Sequence, residues 1–210
     1  MKPGEPRHRV LSRELIARTA LAIVDERGVS CLSVRNLAAE LGAAAMSLYR
    51  HVPSRDAIVR DVVALLLDEI EFTAPPGADW AEGAKAVARS YRAMALRHPR
   101  AFELAAAASN REPPVVDYAR RLRAFYAGLG APVEAFEQHW SILDSFETGF
   151  LLFETRALLQ PELEAEGLDA ETAELAEHMA STVSENAYEA GLEIIVGGLA
   201  ARLDDAARRS

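Results

Sequence analysis

Apolar positions recur every three or four residues along almost the whole chain, and no segment alternates between apolar and polar residues as a half-buried strand does. The first helix is predicted over residues 13–27, where these side chains share one face: Leu15, Ile16, Ala20, Ile23 and Val24. Ser12 precedes this helix as a candidate N-cap, and Gly28 is placed to end it. The pattern therefore predicts an all-α protein.

The same spacing predicts nine or ten helices in total. Two short helices are expected over residues 34–41 and 45–51, with Ser33 as the N-cap of the first and Gly42 in the turn between them. The Val52-Pro53 step ends the second, and Ser54 caps a longer helix. The remaining helices are predicted over these residues: 55–71, 80–97, a short one to about 108, 113–129, 133–159, about 170–183 and 186–205.

The segment "TAPPGAD", residues 73–79, is the strongest linker signal in the first half of the chain. It predicts a small helical domain over residues 1–72, with a basic arm at 1–12, and a larger helical domain over residues 73–210. An acidic loop is expected at 160–171, where glutamate and aspartate are frequent.

Charge is distributed unevenly between these two parts. The first 60 residues carry 10 Lys and Arg against 6 Asp and Glu, although the whole chain has a net charge of −9. A basic segment on an acidic body indicates a polyanionic partner at one end, although basic termini are also commonly only solvated. Cys31 is the single cysteine, and neither a signal peptide nor an apolar run long enough to span a membrane is present. We expect a cytoplasmic protein.

Motifs that carry catalytic chemistry are absent from the sequence. It contains no phosphate-binding loop, no dinucleotide-binding glycine motif, no serine elbow and no His/Cys cluster with metal-ligand spacing. We therefore expect neither an enzyme nor a protein with a cofactor or metal. Cys31 is interpreted as a small packed residue between the first two helices.

Two short helices joined by a glycine turn and flanked by longer helices are typical of a helix-turn-helix. An α-helix fits the major groove of DNA, where residues near its N-terminus reach base edges and their neighbours contact phosphates. Leu37, Leu41, Leu48 and Val52 are placed to pack this pair on the first helix. The side chains left outside are Ala45, Met46, Ser47, Tyr49 and Arg50.

The segment "LSVRNLAAELGAAAMSLYRHVPSRDAIVRDVV" resembles the DNA-binding domain of the tetracycline-repressor (TetR) family. The shared pattern is Leu-Ser/Thr-x-Arg-x-Leu-Ala-x-x-Leu-Gly, then Ser/Thr-Leu-Tyr-x-His-Val/Phe, then a basic residue that opens a long helix. The resemblance covers about residues 11–70 and implies an N-terminal three-helix helix-turn-helix domain joined to a helical ligand-binding and dimerisation domain.

The resemblance implies roles for particular residues of this surface. Arg35 corresponds to a side chain that reaches a guanine edge, and Arg55 corresponds to a basic residue that contacts phosphate. Three further residues match phosphate and groove contacts of the family: Ser47, Tyr49 and His51. Arg50 differs from the family's usual aromatic residue, and it either contacts phosphate or is solvated.

The alanines before the recognition helix lack the reach of a long polar side chain. We therefore expect Ala45 and Met46 to contact thymine methyl groups, with Arg35 and the shape of the DNA supplying the rest of the sequence preference. Two alternatives remain open, namely that Arg35 forms an ion pair with Glu40 or Glu14 and that Tyr49 is a half-buried core residue. The basic arm, with Lys2, Arg7, Arg9 and Arg13, either contacts DNA or only attracts it.

The C-terminal part resembles the tetracycline-repressor subgroup of the family, whose last long helices form a dimer. Such a dimer reads paired half-sites, whereas the alternative is a monomeric core. Gly191, Gly197 and Gly198 would permit close approach of the helices. The predicted dimer-interface residues are Leu143, Leu151, Tyr188, Leu192, Ile195, Leu199 and Leu203.

The resemblance also implies an effector pocket in this part of the chain. At positions where the tetracycline repressor binds a magnesium–drug complex, this chain has Ala105, Ser145 and Phe153, so we expect no metal. A mostly apolar pocket is predicted, with plain core packing as the alternative for each aromatic residue. Asp144 and His178 are further candidate polar anchors. The predicted pocket residues are Tyr91, Met94, His98, Phe102, Tyr118, Phe125, His139, Trp140, Phe146, Glu147, Phe150 and Met179.

Together these features predict a homodimeric transcriptional regulator, most simply a repressor that a small, mostly apolar ligand releases from a palindromic DNA operator. Two alternatives remain open. One is a small-molecule binding protein with a vestigial helix-turn-helix, and the other is an activator that uses the same domain.

Overall fold

The computed structural model describes residues 11–159 and 169–209, and within these ranges every regular element is helical. The predicted all-α fold is therefore confirmed. The helices are α1 (Arg13–Arg27), α2 (Val34–Glu40), α3 (Ala45–Leu48), α4 (Arg55–Asp68), α5 (Trp80–Arg97), α6 (Phe102–Ala106), α7 (Pro113–Gly128), α8 (Val133–Gln138), α9 (Asp144–Leu159), α10 (Ala170–Ser181) and α11 (Glu185–Arg209). A short 3₁₀ turn, Val29–Cys31, follows α1.

Three serines begin the helices that form the N-terminal end of the molecule. The Oγ atoms of Ser12, Ser33 and Ser54 accept hydrogen bonds of 3.1 Å from the backbone N–H groups of Leu15, Asn36 and Ala57, respectively. Each serine thus satisfies one backbone donor that the first turn of a helix leaves unpaired. The three predicted N-caps are confirmed.

Helix α4 is shared between the two ends of the molecule. One side packs on α1, and another packs on α6 and α7. The guanidinium of Arg121 on α7 donates to the carbonyl of Leu67 at 2.8 Å and lies over the ring of Phe72. As a result, the apolar core continues from residues of α1 and α2 through α4 into α5 and α7.

The predicted helix over residues 133–159 is continuous but not uniform. A π turn, His139–Leu143, joins α8 to α9. Helix α9 packs against α5 and α6, and α11 packs against α5 and α8. None of the helices in the described ranges is long and apolar enough to cross a membrane.

The predicted basic arm needs one correction. Arg13 is the first residue of α1, and its Nε and Nη2 atoms donate to both carboxylate oxygens of Asp61 on α4 at 2.7 and 2.8 Å. Because both donors are committed to this ion pair, Arg13 joins two helices rather than extending toward DNA. Lys2, Arg7 and Arg9 lie outside the described residues.

Candidate nucleic-acid interface and ligand cavity

The turn between α2 and α3 is set by Gly42. Its backbone has φ +61°, in the left-handed region, and its N–H donates to the carbonyl of Ala39 at 3.1 Å. The N–H of Ala43 donates to the carbonyl of Ala38 at 2.9 Å. These two bonds form a Schellman motif, which ends α2 sharply and directs the chain into α3.

An apolar layer fixes which face of the two short helices meets solvent. Leu37, Leu48 and Val52 are fully buried, and they pack into the same core as α1 and α4. Of the predicted DNA-contacting residues, Ser47 is half-buried and the other seven are exposed: Arg35, Ala45, Met46, Tyr49, Arg50, His51 and Arg55.

Two large side chains on this surface are unusually exposed for their chemistry. Met46 exposes 75% of its surface, the highest value among the large hydrophobic residues that the structure describes, and Tyr49 exposes 47%. Leaving apolar area in water gives up roughly 25 cal/mol for each Å² that could be buried. An exposed methionine beside an exposed tyrosine therefore indicates a contact surface.

The arginines of this surface differ in how firmly they are held. Arg35 has no ion-pair or hydrogen-bond partner among the described residues, because Glu40 pairs with Arg27 and Glu14 pairs with Arg18. Nη2 of Arg50 donates to Oγ of Ser47 at 3.1 Å. Arg55 donates from Nε to the carbonyl of Leu32 at 2.9 Å, which fixes the stem of its side chain at the start of α4.

A cavity of about 380 Å³ lies between α4, α5, α6, α7, the π turn and α9. Its lining combines aromatic rings, small side chains and a few polar groups. The lining residues are Leu67, Tyr91, Ala105, Ala106, Ala108, Asn110, Val115, Tyr118, Trp140, Asp144, Ser145, Thr148, Gly149 and Leu152. Ala105 and Ser145, at which the family resemblance indicated missing metal ligands, are both part of this wall.

Three of the twelve predicted pocket residues line this cavity, namely Tyr91, Tyr118 and Trp140. The other nine lie elsewhere. Phe125 packs against Phe72 and Tyr126, while Phe146 and Phe150 pack around the ring of Tyr188. Met179 is exposed on α10, as is His178. The four fully or almost fully buried ones are Met94, Phe102, His139 and Glu147.

Sequence reasoning missed Asn110 and Thr148 among the polar lining residues. Asp144 and Thr148 are one helical turn apart on α9, so a pattern of polar residues four positions apart inside an apolar helix could have identified the pair. Nothing in the sequence marks Asn110, which follows α6 in a loop.

Burial changes the protonation of the carboxyl groups near this cavity. Burial raises the pKa of Asp144 to about 6. Burial, and then the neighbouring Asp144 charge, raises the pKa of Glu147 well above its usual value. Burial also raises the pKa of the phenols of Tyr91 and Tyr118. Asp144 can therefore carry charge near neutral pH, whereas burial and the charge of Asp144 both disfavour the charged form of Glu147.

His139 stands in the π turn and is part of the core rather than of the cavity. Its Nδ1 atom lies 2.6 Å from the hydroxyl of Tyr126. Burial lowers the pKa of His139 to about 4, so the ring is neutral and Nδ1 accepts the phenol proton. A wider helical turn at this point lets the histidine reach α7.

His98 directly follows α5 and contacts α1 and the end of α4 rather than the cavity wall. Its Nδ1 atom is 2.8 Å from Oδ2 of Asp25 on α1, and its Nε2 atom is 2.9 Å from Oε1 of Glu69 beyond α4. Arg100 adds a bond of 3.0 Å to the carbonyl of Asp25. His98, which was predicted for the pocket, therefore joins the end of α5 to α1 and α4 instead.

The residues predicted for the dimer interface face mostly inward. Their side chains pack in the protomer's own core, with Ile195 and Leu203 half-buried and these five buried: Leu143, Leu151, Tyr188, Leu192 and Leu199. A methyl group on Gly191 would overlap the ring of Phe146 in the same protomer. The outward face of α11 instead carries Ile194, which is 74% exposed, and the open Gly197 and Gly198.

The larger part of the chain matches a known protein family. Residues 73–203 match the family model described as "Tetracyclin repressor-like, C-terminal domain". This match spans more than half of the chain and adds to the helix-turn-helix geometry described above. The chain belongs to the tetracycline-repressor family. Members of this family are DNA-binding transcriptional regulators and not enzymes. The predictions of a DNA-binding regulator and of a protein that is not an enzyme are therefore confirmed.

Transcriptional regulators of Streptomyces and Saccharopolyspora are among the proteins similar to this chain. ActR of Streptomyces coelicolor, solved in complex with actinorhodin, is 30% identical with a TM-score of 0.70, and the match covers 92% of this chain and 97% of that one. The transcriptional repressor DrrR1 of Streptomyces coeruleorubidus is 33% identical over 103 residues, or 47% of this chain. A regulator of Saccharopolyspora erythraea is 32% identical over 122 residues, or 58% of this chain. These matches span only 37% and 50% of the lengths of the two curated relatives.

The described part of this tetracycline-repressor chain contains no group of three His, Cys, Asp or Glu side chains that could hold a metal ion. Its cavity has one carboxylate, aromatic rings and neutral polar groups. The chemistry available there is therefore binding through ring contacts, hydrogen bonds and one negative charge.

Proposed function

We propose that this protein is a homodimeric repressor that a small, mostly apolar ligand releases from a palindromic DNA operator. The observation that carries the proposal is the exposed surface of α2, α3 and the start of α4, where Arg35, Met46 and Tyr49 stand free above a rigid apolar layer. Residues 11–72 would form the DNA-binding part, with the ligand-binding and dimerisation part from residue 73 onward. A regulator of chromosomal DNA acts in the cytoplasm.

The proposed DNA contacts are the eight residues of this surface. Arg35 would read a guanine edge, since its guanidinium is not committed to another residue. Ala45 and Met46 would contact thymine methyl groups. The proposed phosphate contacts are Ser47, Tyr49, Arg50, His51 and Arg55, and they fix the register of the protein without reading sequence.

The proposed effector site is the 380 Å³ cavity. ActR, solved with actinorhodin bound, supports the assignment because it shares both sequence and fold with this chain. Leu67 connects the cavity to the DNA-binding surface, since it lies on α4, which begins at Arg55. Ligand contacts with Leu67 would tilt α4, and the spacing of the two recognition helices in a dimer would then no longer match the half-sites.

The proposed dimer uses the outward faces of α9 and α11. Phe153 and Leu158 on α9 and Ile194 on α11 are largely exposed, and Gly197 and Gly198 leave room for a second backbone. Paired helices from two copies would form the four-helix interface that such faces need. Sedimentation of wild type and of the Ile194→Glu variant tests this, with a dimer expected for the first and a monomer for the second.

The DNA proposal is tested with labelled fragments of the protein's own promoter region in gel-shift and footprinting experiments. We expect a two-fold symmetric, salt-sensitive footprint. Arg35→Ala should lower the operator affinity about 10- to 100-fold and relax its sequence preference, since an arginine–guanine contact is worth ~1–3 kcal/mol. Arg123→Ala, which removes an exposed arginine of α7, is the matched control and should bind like wild type.

The alternatives make different predictions in the same experiments. A ligand-binding protein with a vestigial helix-turn-helix would keep its biological output in the Arg35→Ala, Tyr49→Ala double variant. An activator would bind the same operator but lose reporter transcription when its gene is deleted, whereas a repressor would gain it. Absence of a specific shift on any genomic fragment would reject DNA recognition altogether.

A further inference from the structure

The cavity has an unusual charge composition. Asp144 is the one formally charged side chain among the described residues that line it, and no lysine, arginine or histidine is among them. The rings of Tyr91 and Tyr118 are 6.5 Å apart between centroids, and those of Tyr118 and Trp140 are 6.1 Å apart. A carboxylate and three aromatic side chains packed against one another thus line the same cavity.

Asp144 also differs from the other carboxylates with restricted exposure. In the described residues, Glu154 pairs with Arg92, Glu189 pairs with Arg89, and other such pairs involve Asp25, Asp61 and Glu69. Glu112 accepts from a backbone N–H, and Glu147 accepts from the hydroxyl of Tyr188 at 3.4 Å. Asp144 alone has neither an ion pair nor a hydrogen bond.

An unpaired carboxylate in a partly buried wall costs stability because the charge loses water without gaining a partner. Proteins keep such groups where a ligand supplies the partner. The aromatic rings favour the same kind of ligand, since the face of a tyrosine or tryptophan attracts cations. A neutral ligand would use the rings but would leave the carboxylate unpaired.

We propose that the effector is a planar aromatic cation whose protonated nitrogen pairs with Asp144 while its rings lie among Tyr91, Tyr118 and Trp140. This inference rests on the proposed function, in which this cavity is the effector site. It adds the charge of the ligand and the residue that selects it. The carboxylate of Asp144 is the specificity determinant, and the lining residues Ala105, Ala106 and Gly149 are small, which leaves room for a ring system.

Among the ionisable groups near the cavity, Asp144 is the one that carries a negative charge near neutral pH. Tyr91 on α5 and Tyr118 on α7 remain protonated, since burial raises the pKa of both phenols. On α9, burial and then the charge of Asp144 raise the pKa of Glu147 well above its usual value, which disfavours its charged form. Asp144 has its pKa raised to about 6 by burial. The site should therefore lose its attraction for a cation as the pH falls through about 6.

Two acridines test the proposal because they share one ring system and differ in charge. 9-Aminoacridine is a cation near neutral pH, and acridine is neutral there. Calorimetry and quenching of tryptophan fluorescence measure the binding of each. We expect the wild type to bind 9-aminoacridine about tenfold more tightly than acridine, as a charge-assisted contact allows. Asp144→Asn should remove that preference, while Asp117→Asn, which removes an exposed charge of α7, should retain it.

A second measurement uses only the wild-type protein, so it does not depend on how a variant folds. The affinity for 9-aminoacridine is compared at about pH 8 and about pH 5, where this probe stays cationic. We expect a severalfold loss at the lower pH, because Asp144 is then protonated. An unchanged affinity would overturn the proposal.

The other outcomes are also decisive. Equal binding of the two acridines, binding of neither, or a preference that survives in Asp144→Asn would each overturn the proposal, without bearing on operator binding. Release of operator DNA is scored only as the difference between wild type and Asp144→Asn, because acridines also intercalate into DNA. Charge-selective binding without such release would support the charge selection and reject effector control by this cavity.

Discussion

The two ends of this molecule bury different kinds of groups. Between residues 11 and 72 every buried side chain that the structure describes is apolar, whereas the buried polar and charged ones lie between residues 85 and 155: Lys85, His139, Glu147, Glu154 and Thr155. The DNA-binding end has an apolar core beneath its exposed surface. The ligand-binding end contains buried ionisable groups, and their titration makes its stability and its binding sensitive to pH.

The difference matters because each end does a different kind of work. A surface that reads DNA must hold its side chains in one arrangement, and an apolar core without polar alternatives does this. A regulated cavity needs groups whose energies change when a ligand enters. Asp144, which lines the cavity, is a group of this kind, since burial raises its pKa to about 6.

The largest effect is expected from the apolar core of the DNA-binding end. Leu48→Ala removes a fully buried side chain on α3, and we expect it to lower the free energy of unfolding by about 2–5 kcal/mol. Met46→Ala, on the same helix but exposed, should change it by less than about 0.5 kcal/mol. Urea unfolding followed by circular dichroism measures both. Similar losses in the two variants would contradict the assigned division between core and surface.

A somewhat smaller effect is expected from His139 at the ligand-binding end. Its pKa is about 4 in the folded protein against 6.5 for an exposed histidine. Between these values the unfolded chain binds a proton that the folded chain does not, so stability should fall by up to about 3 kcal/mol as the pH drops from about 6.5 to about 4. His139→Leu should lack this component. Asp144 and Glu147 contribute the opposite slope in both proteins, so the difference between the two curves is the quantity to compare.

The smallest effect contrasts two glycines with similar free space. An added Cβ meets nothing within 4 Å at either Gly42 or Gly128, but only Gly42 has a positive φ, +61°. Gly42→Ala should cost ~1–2 kcal/mol, since an L-residue is strained there. Gly128→Ala, at the last residue of α7, should be neutral or stabilise by a few tenths of a kcal/mol. Thermal unfolding measures both variants. A loss of equal size in the two would show that space rather than backbone conformation decides.

The N-terminal helices could be predicted because their signals are local. Ser12, Ser33 and Ser54 precede their helices by one residue, and each makes the capping bond that its chemistry favours. Gly42 has the positive φ that its position after α2 requires. None of these features depends on what lies far away in the chain.

The C-terminal part was harder to predict because its helices carry apolar residues on more than one side. On α11, Leu192 and Val196 are buried while Ile194 is exposed, and all three have similar side chains. Periodicity alone does not tell which apolar stripe faces the core. Likewise, the π turn at residues 139–143 has an ordinary helical sequence, and it coincides with the long-range contact of His139 with Tyr126 on α7.

Contacts between distant residues account for the remaining differences. His98 was predicted for the pocket but lies between Asp25 and Glu69, which are 73 and 29 positions away in the sequence. Its chemistry suits both environments, and only the packing of α1, α4 and α5 decides between them. The same holds for Arg13, whose partner Asp61 is 48 positions away.

The position of Leu67 on α4 determines how far a tilt of this helix would move its DNA-contacting end. Leu67 touches the cavity and Arg55 opens the same helix, so the twelve intervening steps of α4 form a rod about 18 Å long. A tilt of about 5° around the cavity end displaces the other end by roughly 1.5 Å, about half the length of a hydrogen bond. In the proposed dimer both helices would tilt, so the separation of the two DNA-contacting ends would change by up to about 3 Å, nearly one base-pair step. A tilt of a few degrees would therefore be enough to move the two recognition helices out of register with the half-sites.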